Sequence, residues 1–383
     1  MVDSDSAEFT VDERDKLIDW FKGYAVSRFW FRMDADGLNL MGFLTNTSYA
    51  IEAIEIRLER RRLNDVSWHV QHGLLDPRND PNPEEFRVLR WWPGIVNYGF
   101  SAHIPFDWLR QVGQKRQRVR VDITDKKGNL VCDSVQSVHL PVEDLIGELR
   151  VTLPPKYLIH RVMGVSEEAE WILSGCTNVG VISEVLRDVV GKKLASMGRV
   201  LEWGSGCGRL SRHLVREGLD LTGIDIDGGA VAWCNKHIAQ GTKKARFLTC
   251  GLEPPTELPD GSFGLAIGIS VITHLDDASG KAWLAELARL LQPGGILLLT
   301  THGLDTFSVV NDARIYRAIQ NDGICSLQSR HLDSLLGEDQ EYYRETWHSW
   351  PYIRKNWAEW FEVLDIRRGG HFGYQDLVVM KRR

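Results

Sequence analysis

The amino-acid sequence predicts an α/β protein in two parts, with a doubly wound sheet in the C-terminal half and a β-rich region in front of it. The first observation is length, because 383 residues are too many for one ordinary hydrophobic core. The second is a change of pattern along the chain. From about residue 34, short segments alternate apolar and polar residues, whereas from Arg199 onward continuous apolar segments alternate with helical ones.

Composition and charge argue against several classes of protein. The net charge of −6 argues against a nucleic-acid-binding protein held by phosphate contacts. The apolar stretches near Ile267 and Leu297 are far shorter than the ~20 residues of a membrane-spanning helix, and residues 1–10 lack a signal-peptide pattern. The six cysteines form neither a C-x-x-C pair nor a cluster with zinc-ligand spacing. We therefore expect no metal site, no nucleic-acid partner and no membrane span, with reduced thiols and a cytoplasmic location.

The residues before Arg199 divide into three predicted segments. Apolar residues recur at helical spacing within 11–31, so 1–33 is expected to be an N-terminal helix. Residues 34–142 are expected to form a β-sandwich-like accessory domain, and 143–198 a helical linker or lid. The accessory strands with the clearest pattern cover 51–58, 67–70, 119–123 and 130–139.

Two features of the accessory domain have alternative interpretations. The pair Trp91 and Trp92 could stack on a sugar ring, but filling a core or a domain interface is the simpler role for such side chains. The run Arg60, Arg61 and Arg62 could meet an anionic partner. Its acidic neighbours make a solvated turn the simpler interpretation.

Residues 199–383 alternate strands and helices in the manner of a sheet covered by helices on both faces. An insertion at 305–350 precedes the last two strands, which are expected to pair as an antiparallel hairpin at the sheet edge. The predicted strands are Arg199–Trp203, 219–225, 245–250, 263–271, 296–301, 360–366 and 376–380. The predicted helices begin at Arg209 and Gly229 and cover 281–291.

The sharpest motif follows the first of these strands. Glu202 is followed by Gly204, Gly206 and Gly208, and a helix begins at once. Glycines let the backbone turn tightly and approach a ligand, and the helix N-terminus offers unpaired N–H groups. The dinucleotide fingerprint G-x-G-x-x-G needs a glycine where this chain has Arg209, so that interpretation fails on spacing.

A carboxylate is expected beside this loop. The next predicted strand ends at Asp225, 21 residues after Gly204. At the carboxyl edge of the neighbouring strand, this side chain can accept hydrogen bonds from both hydroxyls of a ribose. Asp227 is expected to be a helix N-cap, a frequent use of Asp before a helix.

These motifs and two later ones resemble, in order and spacing, those of class I S-adenosylmethionine-dependent methyltransferases, over residues 150–383. The later motifs are 258–263 and 286–295. The resemblance implies a Rossmann-like fold and S-adenosylmethionine as cofactor, with the glycine loop against its methionine portion. The cofactor-binding residues that it implies are Glu202, Gly204, Ser205, Gly206, Gly208, Asp225, Ile226, Gly251, Leu252 and Ser270.

Two positions depart from the family's pattern. The family usually has an acidic residue just after the third strand, which bonds the adenine amino group, whereas this chain continues Thr249-Cys250-Gly251-Leu252. Backbone N–H groups, or Glu253 reaching back, are expected to hold the adenine instead. The family also commonly has Asp where this chain has Gly264, a difference that bears on local geometry.

Histidines just past the ends of strands are candidates for catalysis. Methyl transfer to a hydroxyl requires alignment of donor and acceptor and removal of a proton, for which histidine is suited. His274 is the candidate general base, while lining the site or a structural role in the loop stays open for it. His302 is a second candidate. Further candidates, with ordinary packing as the alternative for each, are His331, Tyr342, Tyr343 and His348 for an acceptor pocket and Tyr157, Arg161 and Trp171 for a lid.

The resemblance implies methyl transfer to a hydroxyl of a sugar, a glycan or another small metabolite. A finer resemblance in the tail, at 347–350 and 375–379, is to methyltransferases of glycan and secondary-metabolite assembly. The alternative is a non-catalytic module that binds S-adenosylmethionine or serves as a scaffold in a biosynthetic assembly. The sequence carries no prediction of oligomeric state.

Overall fold

The computed structural model describes most of the chain. The described residues are 9–22, 26–33, 36–46, 51–58, 61–62, 66–71, 96–107, 116–125, 127–139, 152–164, 168–304, 306, 312–328, 343–371 and 375–383. Among them, no helix has both the length and the apolar character that crossing a membrane requires. The sequence candidates that lie outside the described residues are Arg60, Trp91, Trp92, His331 and Tyr342.

The N-terminal helix α1, Val11–Lys22, is shorter than the sequence predicts. Val26–Met33 forms a strand, β1, which pairs antiparallel with β2, Gly37–Asn46. The strand contains three consecutive aromatic residues at 29–31, which favour extended backbone. The prediction of a helix over 11–31 is therefore wrong beyond Lys22. The spacing of apolar residues within a segment does not show whether another strand is available to pair with it.

Eight antiparallel strands make up the described part of the front region. After β1 and β2 come β3 (Ile51–Leu58), β4 (Arg61–Arg62), β5 (Val66–Gln71), β6 (Val96–Pro105), β7 (Arg116–Asp125) and β8 (Leu130–His139). They form one sheet in the order β1-β2-β6-β5 and another in the order β4-β3-β7-β8. Arg61 and Arg62, expected in a turn, are instead paired to the end of β3. Face-to-face stacking of the two sheets, as in a sandwich, stays a prediction.

Two helices connect the front region to the second part. Helix α2 is Lys156–Met163, and helix α3 is Glu168–Val185, extended by a π-helical turn at Leu186–Val190. Helix α3 is apolar on most sides and largely buried, as expected of a helix enclosed by other elements. Its side chains belong to one apolar cluster with Leu38 and Ile104 of the front sheets and with strands of the second part.

The second part is a nine-stranded sheet flanked by helices. Its strands are β9 (Arg199–Trp203), β10 (Asp220–Asp225), β11 (Ala245–Thr249), β12 (Phe263–Gly268), β13 (Leu291–His302), β14 (Ile324–Gln328), β15 (Arg344–His348), β16 (Phe361–His371) and β17 (Gln375–Arg382). Its helices are α4 (Ser211–Arg216), α5 (Gly228–Cys234), α6 (Asp277–Leu290), α7 (Ala313–Asn321) and α8 (Trp350–Asn356).

The strand order creates a ligand-binding edge. Strands β9 to β13 are parallel, in the order β11-β10-β9-β12-β13, so the order reverses at β9. The carboxyl ends of β9 and β12 therefore flank a topological switch point, where open α/β sheets bind ligands. Strand β17 is antiparallel to β13 and to β16, which confirms the predicted hairpin. The doubly wound, Rossmann-like sheet is thus confirmed.

Both faces of this sheet are covered. Val200 and Ile267 belong to an apolar cluster with α3, α4 and α5, whereas their neighbours Leu201 and Ala266 belong to a second cluster with α6 and α8. Successive residues of a strand point to opposite faces, so a sheet covered twice needs apolar residues at every position. This explains the continuous apolar strands in the sequence.

Gly264 accounts for one departure from the family's pattern. It lies near the start of β12, and a Cβ placed there would overlap the backbone carbonyl of Met197. An Asp at this position would therefore require the backbone near Met197 to move.

Candidate functional site

The loop after β9 adopts backbone conformations that favour glycine. Gly204, Gly206 and Gly208 have φ values of 74°, 50° and 83°, in the left-handed region that L side chains rarely adopt. A Cβ at Gly204 would also overlap the Val271 side chain. The loop is attached to β10, because the Gly204 N–H donates to the carbonyl of Ile224 at 2.9 Å. The glycine loop is therefore confirmed as a turn that only glycine accommodates easily.

Two polar side chains, one on β9 and one in this loop, are buried. Glu202, at the end of β9, accepts a hydrogen bond from Ser211 Oγ at the start of α4. Burial raises the pKa of Glu202 to about 8, so most of this carboxyl is protonated at neutral pH. Ser205 is also buried, and its Oγ has no hydrogen-bond partner in the described part of the protein. A buried hydroxyl without a partner is a candidate contact for a ligand.

Asp225 closes the loop from the neighbouring strand. Its Oδ2 accepts a hydrogen bond from Gly206 N at 2.6 Å, and its Oδ1 accepts one from Asp227 N at 2.8 Å. Burial raises the pKa of this carboxyl above its usual range. Each oxygen of a carboxylate can accept more than one bond, so both keep acceptor capacity for a ligand. Asp227 is the N-cap of α5, as predicted, accepting from the N–H groups of Gly229 and Ala230.

The rim beyond Asp225 is apolar and exposed. Ile226 and Leu252 are 39% and 42% exposed, which is high for large apolar side chains in the described residues. Gly251 lies between Cys250 and Leu252 in the same loop, directly after β11. Glu253 Oε1 accepts a hydrogen bond from Ser279 Oγ at 2.7 Å, near the start of α6. Its carboxylate is therefore directed to α6.

Helix α2 lies over the glycine loop. Arg161 Nη1 is 2.7 Å from Asp227 Oδ2, and a Cβ at Gly206 would lie 2.8 Å from Val162 Cγ2. The Arg161 guanidinium also lies 5.7 Å from the ring centroid of Tyr157, which is 59% exposed. Arg161 and Tyr157 thus lie beside the site. Trp171, by contrast, is fully buried in the core, where the Arg212 guanidinium stacks on its ring.

Ser270 lies at the carboxyl end of β12, across the switch point from the glycine loop. Its φ is 57°, an uncommon value for a residue other than glycine. Its N–H donates to Thr300 Oγ1 at 2.7 Å, and its Oγ donates to Gln375 Oε1 at 2.9 Å. Gln375 Nε2 in turn lies 3.1 Å from His302 Nε2. The two predicted residues Ser270 and His302 are therefore joined through a third, Gln375.

His274 lies in the short 3-10 turn Ile272–His274 that follows β12. Its Nδ1 lies 3.2 Å from the backbone carbonyl of Arg344, so Nδ1 carries the hydrogen and Nε2 the lone pair. Burial lowers the pKa of His274 to about 4, so the ring is neutral at neutral pH. The ring centroid of Tyr343 lies 4.7 Å away. His274 is thus held in the form that can accept a proton.

Residues 200–295 match the family model described as "Methyltransferase domain". This segment contains the glycine loop, Asp225, all of β9 but Arg199, strands β10 to β12 and the whole of α6. The chain contains a class I S-adenosylmethionine-dependent methyltransferase domain. The cofactor of this class is S-adenosylmethionine, as the sequence predicts.

The curated relatives of this methyltransferase domain are similar over part of their length. A ubiquinone biosynthesis O-methyltransferase from Dechloromonas aromatica is 28% identical over 103 residues, which are 27% of this chain and 44% of the relative. One of the same name from Xanthomonas oryzae pv. oryzae is 31% identical over 121 residues, 31% of this chain and 50% of the relative. The chain thus spans about half the length of the curated relatives that it matches.

Solved structures align with about half of this chain. A SAM-dependent methyltransferase from Methanosarcina mazei covers 48% of this chain and 92% of its own, at 20% identity and a TM-score of 0.37. A 1,6-didemethyltoxoflavin-N1-methyltransferase from Burkholderia thailandensis covers 53% of this chain and 77% of its own, at 15% identity and a TM-score of 0.38.

Another candidate for the acceptor pocket, His348, is buried. His348 packs with its ring 5.3 Å from Trp357 and 5.9 Å from Tyr352, and burial lowers its pKa to about 4. Its role in the structure is packing against α8.

Sequence reasoning missed Gln375 and Thr300. The sequence signal for Gln375 is its place at the start of a strand, two residues before the apolar run 377–380.

Proposed function

We propose that this chain transfers the methyl group of S-adenosylmethionine to a hydroxyl of a small metabolite. The observation that carries the proposal is the joined glycine loop and Asp225 at the switch point, where Gly206 N donates to Asp225 Oδ2. The O-methyltransferase names of the curated relatives support oxygen as the accepting atom. A sugar or glycan acceptor, a sandwich-like front domain and a cytoplasmic location are finer parts of the same proposal, and they rest on the sequence.

The described residues fit the cofactor group by group. The loop from Gly204 to Gly208 offers close backbone approach to the methionine portion. Asp225 retains acceptor capacity for the ribose hydroxyls. The exposed apolar side chains of Ile226 and Leu252 suit the faces of an adenine ring, and this contact would account for their exposure. The position of Arg161 and Tyr157 beside Asp227 supports a role for α2 in covering the bound cofactor.

His274 is the proposed general base. When bound, the cofactor supplies a methyl group on a positively charged sulfur, and the acceptor oxygen must lose its proton as it attacks. The hydrogen bond from Nδ1 to the Arg344 carbonyl fixes the ring, so Nε2 is the nitrogen that receives the proton. With its pKa lowered to about 4, His274 is already neutral throughout the physiological range and needs no deprotonation before turnover.

The test is a transfer assay with methyl-labelled S-adenosylmethionine and a panel of sugar nucleotides, oligosaccharides and phenolic metabolites. We expect at least one hydroxyl compound to take up label in equal amount to the S-adenosylhomocysteine released. Gly204→Val, which fills the space of Val271 at a positive φ, is the matched inactive control. A chain that binds S-adenosylhomocysteine and transfers no label across the panel would contradict the proposal and favour the non-catalytic module.

A further inference from the structure

Ser270 is held in an unusual conformation by two neighbouring strands. Its φ of 57° places a residue with a side chain in the left-handed region, at a cost in conformational energy. Thr300 on β13 fixes its backbone N–H, and Gln375 on β17 fixes its hydroxyl. Residues kept in such conformations by their surroundings cluster at functional sites.

With the Gln375 amide oriented as in the structure, the hydrogen bonds around Ser270 have one consistent polarity. The Gln375 amide nitrogen only donates, so the His302 Nε2 that it meets accepts. The Gln375 amide oxygen only accepts, so the Ser270 hydroxyl donates its single hydrogen to it. Toward any further group, Ser270 Oγ can therefore only accept a hydrogen bond. A ligand that meets this oxygen must bring an O–H or an N–H.

The direction of this chain of hydrogen bonds is away from the cofactor loop. Val271, the next residue, faces Gly204, whereas the Ser270 side chain turns toward β17. Thr300, Gln375 and His302 are all buried, while Ser270 is half-buried and accessible. The buried residues thus orient the hydroxyl of the half-buried Ser270 on the β12–β13 side of the switch point.

We propose that Ser270 Oγ accepts a hydrogen bond from the hydroxyl or amine that receives the methyl group, with Gln375 and His302 as positioning residues. This inference rests on the proposed function and names the chemistry by which the acceptor is recognised. It also separates substrate from product, since an oxygen that has been methylated has no hydrogen left to donate. A site built to bond such a hydrogen discriminates strongly against an analogue without it.

The experiment measures fragment binding by ligand-observed NMR in the presence of saturating S-adenosylhomocysteine, so no acceptor needs to be known. The fragments are phenol, catechol, benzyl alcohol and aniline, each paired with its O- or N-methylated counterpart, fully methylated at every oxygen or nitrogen. For wild type we expect at least one fragment with a free O–H or N–H to bind about tenfold or more tightly than its methylated partner. Ser270→Gly should reduce that preference to within about twofold while S-adenosylhomocysteine affinity stays unchanged.

Two features separate this role from a structural one. Glycine tolerates a φ of 57°, and the relief of this strain offsets the loss of the hydrogen bond to the buried Gln375. Ser270→Gly should therefore melt near the wild-type temperature, and lost preference in a variant that is folded at the assay temperature cannot be attributed to unfolding. Gln375→Met should reduce the preference, and adding it to Ser270→Gly should cause no further loss. Gln375→Glu, which keeps an accepting oxygen toward Ser270, should restore it.

Three results would overturn the inference. One is a wild type that does not distinguish any fragment from its methylated partner. Another is a Ser270→Gly variant that keeps the preference. The third is a Ser270→Gly variant with S-adenosylhomocysteine affinity about tenfold weaker, which would assign the hydroxyl to the cofactor, as the sequence predicts. Failure of the proposed function is distinguishable from all three, because it is read in the transfer assay: wild type would then release no label to any compound of the panel, whatever its preference among the fragments.

Discussion

The two halves of the large sheet are assembled in different ways. The cofactor half, β9 to β11 with their loops, comes from one continuous stretch of chain, 199–252. The half that we propose to bind the acceptor, the acceptor half, draws on β12, β13, β15 and β17. Its contacts join residues far apart in sequence, such as Ser270 with Gln375 and His274 with Arg344. The cofactor half therefore depends on local backbone geometry, and the acceptor half depends on long-range packing.

Helix α1 belongs to the acceptor half although it opens the described chain. Arg317 on α7 donates two hydrogen bonds to Glu13, at 2.7 and 2.9 Å. Leu17 is buried in an apolar cluster that includes residues of α7 and Trp347 on β15. The Trp347 ring lies 5.5 Å from that of His302. The predicted N-terminal segment is thus connected to the acceptor side of the methyltransferase domain.

The largest effect is expected at His274. His274→Asn keeps a donor near the Nδ1 position for the Arg344 carbonyl and removes the basic Nε2. Turnover should fall roughly 10²–10⁴-fold, the usual contribution of general acid–base catalysis, with S-adenosylhomocysteine affinity unchanged. In wild type, a plot of turnover rate against pH should fall on the acid side near the lowered pKa of His274, about 4. Near-normal turnover in the variant would reduce His274 to a loop residue.

The next effect is a loss of stability that should be confined to the acceptor half. Leu17→Ala should destabilise the chain by about 2–5 kcal/mol, because it removes buried methyl groups and leaves a cavity beside α7. Val11→Ala, at a 75% exposed position of the same helix, is the control and should change stability little. Hydrogen exchange should quicken in α7 and β14 and stay unchanged in β9 to β11. Equal quickening throughout the sheet would show that the halves do not behave separately.

The sequence predicted the cofactor half better than the acceptor half, for a physical reason. Glu202 and the three glycines lie within one short motif, and Asp225 ends the next strand, so they could be recognised from local sequence and from the order of the family's motifs. Gln375 reaches Ser270 only because β17 returns antiparallel beside β13, and a one-dimensional pattern does not specify that neighbour. The end of α1 was missed for the same reason, since pairing with β2 decides the conformation of Val26–Met33.

A smaller effect concerns stability in acid. Burial lowers the pKa of His348 to about 4, below the 6.5 of an exposed imidazole. Between these values the unfolded chain binds a proton that the folded chain does not. Stability is therefore fully present above pH 6.5 and falls as the pH falls toward 4, by about 1 kcal/mol per pH unit.

The half-buried His274 and the buried His371 act in the same direction, with pKa values lowered to about 4 and about 3. Glu202 acts in the opposite direction, because its raised pKa of about 8 lets the folded chain hold a proton that the unfolded chain releases above 4.5. His348→Phe should flatten the acid side of a plot of unfolding free energy against pH, measured with urea. A variant with the wild-type slope would contradict the assignment of a buried neutral imidazole.

The central claim is that the glycine loop and Asp225 form an S-adenosylmethionine site. Calorimetric titration of wild type and of Asp225→Asn with S-adenosylhomocysteine, and of wild type with NAD, tests it most directly. The account predicts binding of S-adenosylhomocysteine by wild type and no heat with NAD. In Asp225→Asn it predicts a loss of about 1–3 kcal/mol, because the amide loses charge-assisted bonds to the ribose and its NH2 group cannot accept one of the two backbone N–H groups that the carboxylate accepts. Absence of S-adenosylhomocysteine binding, or tight binding of NAD, would contradict it.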